Sequence, residues 1–120
     1  MVKFCILIAG LFLMVPAHAA DLNRGTKIFQ EECAECHSVK EGKNKKGPSM
    51  WLVGSRKAAS IAEFNYSESM KESGITWTAD KIDAYISHPK QVIPAGKMKY
   101  DGLESAADRA DVIAYLLTLH

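Results

Sequence analysis

The first apolar pattern in the chain is a run from Phe4 to Val15, broken only by Gly10 and preceded by the basic Lys3. Pro16 stops it, and Ala17-His18-Ala19 follows, small residues at the spacing a signal peptidase cuts. The run is 12 residues long, short against the roughly 20 that a membrane-spanning helix needs. Residues 1–19 therefore read as a secretory signal peptide, cut after Ala19 or Ala20, rather than as a retained anchor. Residues 20–120 read as a single domain.

Beyond the leader, four segments carry helical signals. Asp21 to Glu32 is the first, with Asp21 or Asn23 as cap and Ile28 and Phe29 as the apolar face. Ser67 to Ser73 is a short helical turn, capped by Ser67 and closed by Gly74. Thr78 opens a third, with Ile82, Tyr85 and Ile86 at i, i+3 and i+4. Pro89 ends it, because the residue before a proline avoids the helical region. Ser105 caps the last, with Asp108 three residues on as a capping-box variant. Val112, Ile113, Leu116 and Leu117 form its apolar stripe, and Asp108, Arg109 and Asp111 are expected to face out. Strand alternation is weak everywhere, and Glu41 to Lys46 and Ala95 to Gly102 show neither period. The predicted fold is mostly α: one small domain of four or so short helices joined by long loops.

Composition narrows the picture further. One of the 15 basic side chains is Lys3, so 14 remain after cleavage against 14 acidic ones. A net charge near zero lacks the sustained basic face of a nucleic-acid binder. A chain of this size builds a modest core, so a bulky apolar group inside it would add to the fold.

Export implies an oxidising compartment, where cysteines are paired or ligated. Cys5 leaves with the leader, which leaves Cys33-Ala34-Glu35-Cys36-His37. C-x-x-C-H is the pattern of covalent haem attachment. Two thiols a helical turn apart can reach two vinyl groups, and the next residue, His37, is then held beneath the iron as an axial imidazole. Other readings of the same five residues exist. A thioredoxin-like pair would follow a strand inside a βαβ unit, and here it follows a helix. A zinc site would need a fourth ligand, with only His88, His120 and carboxylates to supply it. A plain disulfide between Cys33 and Cys36 is the simplest alternative.

From about Asn23 to Leu119 the chain resembles the class I cytochromes c, in particular the mitochondrial and bacterial c2-like branch. Gly25 and Phe29 resemble the family's pair on the first helix, set to pack against the last helix at Ala114, Tyr115 and Leu116, within Asp111-Val112-Ile113-Ala114-Tyr115-Leu116. Lys46-Gly47-Pro48-Ser49-Met50 is similar to the family's Gly-Pro loop, which implies that the Pro48 carbonyl accepts a bond from His37. Arg56, Tyr66 and Trp77 match donors to the haem propionates, and Tyr85 matches a tyrosine near the methionine sulfur. Pro94-Ala95-Gly96-Lys97-Met98 resembles the loop that delivers the methionine ligand, with Ala95 where glycine is common. Met98 is thereby the expected sixth ligand ahead of Met50, Met70, His88 and His120. Tyr100 stands where the family often has an exposed phenylalanine. Trp51 is an unusual residue at its position and carries no assigned role.

The resemblance implies one covalent haem c, the cytochrome c fold wrapped round it, and a soluble, monomeric, periplasmic one-electron carrier without substrate turnover. Its expected partners are membrane redox complexes (a cytochrome bc1-like reductase, a terminal oxidase or a reaction centre) or other periplasmic redox proteins. They would dock through Lys40, Lys43, Lys45, Lys46, Lys57, Lys97 and Lys99, opposite acidic groups such as Glu31 and Glu32. No nucleic-acid partner is expected. The competing functions are a haem enzyme or gas binder with a labile sixth ligand, and a thiol redox module. Amino-terminal sequencing of the exported protein is expected to start at Ala20 or Asp21; a start at Met1 would show that the leader is retained.

Overall fold

The computed structural model describes residues 19–120 together with Gly10, Leu11, Leu13 and Met14. Those positions aside, the signal peptide expected over 1–19 lies outside the described residues. Helix α1 spans Leu22–Glu32, α2 Glu68–Glu72, α3 Ala79–Ser87, α4 Pro89–Val92 and α5 Ala106–Leu116, with a 3₁₀ turn at Val53–Ser55. Among the described residues there is no strand, and one antiparallel bridge pairs Lys57 with Thr76.

The N-caps of α1, α2, α3 and α5 are set locally. The Asp21 carboxylate accepts from the N–H of Arg24 at 3.1 Å, Ser67 from Met70 at 3.1 Å, Thr78 from Lys81 at 3.3 Å and Ser105 from Asp108 at 3.2 Å. Each bond satisfies a donor that the first helical turn leaves free. α3 stops at His88, as the following proline requires. The same proline then opens α4, a single turn the apolar pattern did not predict, because Pro is pre-set for a first helical position.

α1 packs most extensively on α5. Phe29 meets Tyr115 edge to face, with ring centroids 5.7 Å apart. Gly25 lies so close to α5 that a Cβ there would sit 2.1 Å from the Asp111 carbonyl oxygen. Ile28, Phe29, Val53, Trp77, Ile82, Val112, Ile113 and Leu116 form one buried cluster. Burying a side chain such as Phe29 contributes about 1.5–3 kcal/mol. Cys33, Met50, Met70 and Tyr85 border this cluster and are only half-covered by protein.

The polar flank of α5 departs from expectation. Asp111 does not face out: it is 5% exposed and accepts from the N–H of Asp21 at 2.9 Å, with Arg24 Nε 3.3 Å from its other oxygen. Arg109 is also largely covered, donating to Asp83 at 2.7 Å and to the carbonyls of Leu103 and Glu104 at 2.8 Å. Leu117, expected in the apolar stripe, is the C-cap and is 43% exposed. The reason is that α5 serves two neighbours, α1 and α3, so part of its charged face is a contact face. Gly25→Ala must push the two backbones apart, and overpacking of this kind costs about 3 kcal/mol. Chemical denaturation should therefore show a markedly lower midpoint; an unchanged one would refute the close crossing.

Candidate functional site

The C-x-x-C-H segment continues directly from the end of α1. The N–H of Cys33 donates to Phe29 O at 2.9 Å, that of Cys36 to Cys33 O at 3.0 Å and that of His37 to Cys33 O at 2.9 Å. This tight turn presents both cysteines as free, half-buried thiols, so the disulfide alternative is not the form seen here. Burial, reinforced by Glu32 and Cys36, pushes the Cys33 thiol up to about 11. Such a thiol is scarcely ionised near neutrality, the opposite of what a redox-active pair requires. Among the described residues no group of three or more His, Cys, Asp and Glu gathers where it could hold a metal ion.

His37 is fixed from two sides. Its Nδ1 lies 2.7 Å from the Pro48 carbonyl oxygen. A carbonyl can only accept, so Nδ1 carries the proton and Nε2 keeps its lone pair. Burial lowers the imidazole's pKa, with Arg56 and Lys45 acting the same way against the Pro48 bond. A neutral ring with one bare nitrogen is what ligation of iron needs. The other side of the ring rests on Gly47, where a Cβ would come within 2.3 Å of Cε1.

The loop that supplies Gly47 and Pro48 has no regular structure, and side chains hold it. Gly47 N–H donates to Cys36 O at 2.7 Å and Met50 N–H to Ser38 O at 2.8 Å. Ser49 is 1% exposed; its hydroxyl donates to Lys40 O at 2.5 Å, and its N–H donates to Asn44 Oδ1 at 2.9 Å. Lys45 reaches the Ala34 carbonyl with its ammonium, and Lys46 pairs with Glu35 at 3.1 Å. Sequence reasoning misses Ser49, because a serine after Gly-Pro reads only as part of a turn.

Arg56 donates to Trp51 O at 2.5 Å and Ser49 O at 2.6 Å, and burial lowers its pKa. Trp51 thus takes part through its backbone. The carbonyl of Arg56 accepts from Trp77 N–H at 3.0 Å, which brings these two residues together, and Trp77 stacks obliquely on Tyr85 with centroids 5.2 Å apart. Tyr66 packs edge to face on Phe64 and its hydroxyl oxygen accepts from Ile61 N–H at 3.4 Å. Burial raises the Tyr85 phenol's pKa. Met98 is half-buried in the irregular loop after Ile93 and lies near His37. Of its rivals, His88 and His120 are exposed, and Met50 and Met70 pack against the core cluster.

Two free thiols on one turn, a neutral imidazole with a bare nitrogen, a thioether nearby and half-covered apolar side chains fit a haem attached through two sulfurs. The comparisons agree. The family model of cytochrome c matches residues 22–120. Cytochrome c2 of Rhodopila globiformis is 42% identical over 103 residues, covering 86% of this chain and 97% of its own. Cytochrome c2 of Rhodomicrobium vannielii is 41% identical over 121 aligned residues, 99% of this chain and 96% of its own. Cytochrome c of the fungus Gibberella zeae is 41% identical over 97 residues, 80% and 92% respectively. With the family model covering α1 to α5 and the loops that carry Pro48 and Met98, the chain belongs to the cytochrome c family, one-electron carriers rather than enzymes, each holding one covalent haem c.

Proposed function

We propose that the protein is exported and works as a periplasmic electron shuttle, with Cys33 and Cys36 holding haem c as thioethers and His37 and Met98 as its axial ligands. The observation that carries this reading is the His37–Pro48 bond at 2.7 Å, on a turn bearing two free cysteines. When bound, the haem supplies a single redox centre that alternates between ferrous and ferric iron. The protein's part is to hold and tune it. Pro48 orients the imidazole and raises its basicity. The soft thioether of Met98 favours the reduced state and raises the potential. Arg56, anchored on two carbonyls, Tyr66 and Trp77 serve as donors to the propionates, where a fixed cation keeps carboxylates ionised. Tyr85, packed on Trp77, lines the methionine side.

Exposed lysines, among them Lys40, Lys43, Lys57, Lys97 and Lys99, flank the two loops that supply Pro48 and Met98. They suit brief, salt-sensitive encounters with acidic surfaces of membrane redox complexes (a cytochrome bc1-like reductase, a terminal oxidase or a reaction centre) or of periplasmic redox proteins. Export is supported by the leader pattern over 1–19 and by the Rhodomicrobium vannielii alignment, which extends through it.

The deciding experiment is the visible spectrum and haem-stained denaturing gel of protein exported with the haem-attachment machinery. Haem is expected to stay on the polypeptide, with sharp reduced bands and a weak far-red sulfur-to-iron band that Met98→Leu abolishes. Coloured protein without that band, binding carbon monoxide rapidly, would move the function to catalysis or sensing, and no retained haem would overturn the reading. Gly47→Ala pushes a methyl into the His37 ring, which should cost about 2 kcal/mol of stability. Denaturation of the holoprotein reads that loss, and an unchanged midpoint would mean that the ring does not rest on Gly47.

A further inference from the structure

The loop that carries Met98 runs between Ile93 and Leu103 without helix or strand, so a few bonds decide where it lies. At its ends the N–H of Gly96 donates to Ile93 O at 3.0 Å and that of Leu103 to Ile86 O at 2.8 Å. Between them two side chains reach out to distant parts of the chain. Lys97 Nζ donates to Asn65 O at 3.2 Å, and the Tyr100 hydroxyl donates to Glu32 Oε2 at 2.8 Å.

The second bond joins the two halves of the site. Glu32 is the last residue of α1 and immediately precedes Cys33 on the turn that ends at His37. Tyr100 lies two residues beyond Met98. One bond across 68 positions of sequence thus connects the segment of one axial residue to the segment of the other. A hydrogen bond to a carboxylate is stronger than a neutral one; the Tyr100 ring is half-buried, while Glu32 reaches it from the exposed end of α1. A phenylalanine at this position would fill the same space and tie nothing.

We infer that Tyr100 and Glu32 form a latch that holds the Met98 loop against the haem-attachment turn, making Tyr100 a positioning residue for the sixth ligand. The inference rests on the His37/Met98 reading above. Swinging the loop away breaks the latch, so the bond sets how readily Met98 yields to a competing ligand.

The test is imidazole titration of the ferric holoprotein, followed through loss of the far-red sulfur-to-iron band. Tyr100→Phe and Glu32→Ala should each raise imidazole affinity about fivefold, roughly 1 kcal/mol at 1.4 kcal/mol per tenfold. The double variant should gain no more than either single one, since both remove the same interaction. Glu32→Gln, whose amide oxygen still accepts but carries no charge, should give an affinity between those of the unsubstituted protein and Glu32→Ala. A purely structural role would instead lower the unfolding midpoint without moving imidazole affinity. Unchanged affinity in the Tyr100→Phe and Glu32→Ala variants, gains that multiply in the double, or a Glu32→Gln affinity no lower than that of Glu32→Ala would each overturn the latch. An unsubstituted protein lacking the far-red band would overturn the His37/Met98 assignment and the latch with it, whereas a normal band with unresponsive variants would overturn the latch alone.

Discussion

The architecture depends on how closely α1 crosses α5. At Gly25 the separation leaves room for a hydrogen and no more, with the Asp111 carbonyl against it. Approach this close lets Ile28 and Phe29 reach Val112, Ile113 and Leu116 in one cluster, and burial of such side chains is the main favourable contribution available to a small chain. The crossing also fixes the direction in which α1 ends. Since Cys33 is its C-cap and the bonds of the next turn run straight on to His37, the position of the imidazole follows from a helix contact made two turns earlier.

Away from that contact, regular structure contributes little to the site. The Gly47–Met50 segment and the Met98 loop are both irregular, and specific side-chain bonds to backbone carbonyls take the place of a ladder. Among the described residues no buried side-chain nitrogen or oxygen lacks a partner, which is the condition for loops of this kind to keep one conformation. Arg56 illustrates the point. Its guanidinium is half-buried and bonded to two carbonyls, so its charge is held still at a place where a flexible lysine would wander.

The acidic groups follow a similar division. Asp21, Asp111 and Asp108 gather with Arg24 at the helix crossing, and Asp83 of α3 pairs with Arg109 of α5. These charges are engaged within the fold, while Lys40, Lys43, Lys97 and Lys99 stand exposed on the loops near His37 and Met98. Net charge near zero does not by itself describe such a surface, because what steers an encounter is the local field and not the sum.

The amino-acid sequence alone determined whatever depends on neighbours along the chain. The caps at Asp21, Ser67, Thr78 and Ser105 are bonds across three residues, and the C-x-x-C-H turn and Gly-Pro pair are short motifs whose chemistry lies in their own spacing. The mostly helical fold and the family are for that reason legible in the order of residues. The tertiary structure alone decided the burial of Asp111, whose partner Asp21 is 90 positions away, and of Arg109, whose partner is 26 away. It also decided the role of Ser49 as the tie of the Gly47–Met50 segment, the carbonyl of Trp51 as a seat for Arg56, and the bond between Tyr100 and Glu32. Periodicity reports one apolar face of one helix. It carries no information on which charged residue meets an oppositely charged one from elsewhere in the chain, because that pairing exists only once the segments have been brought together.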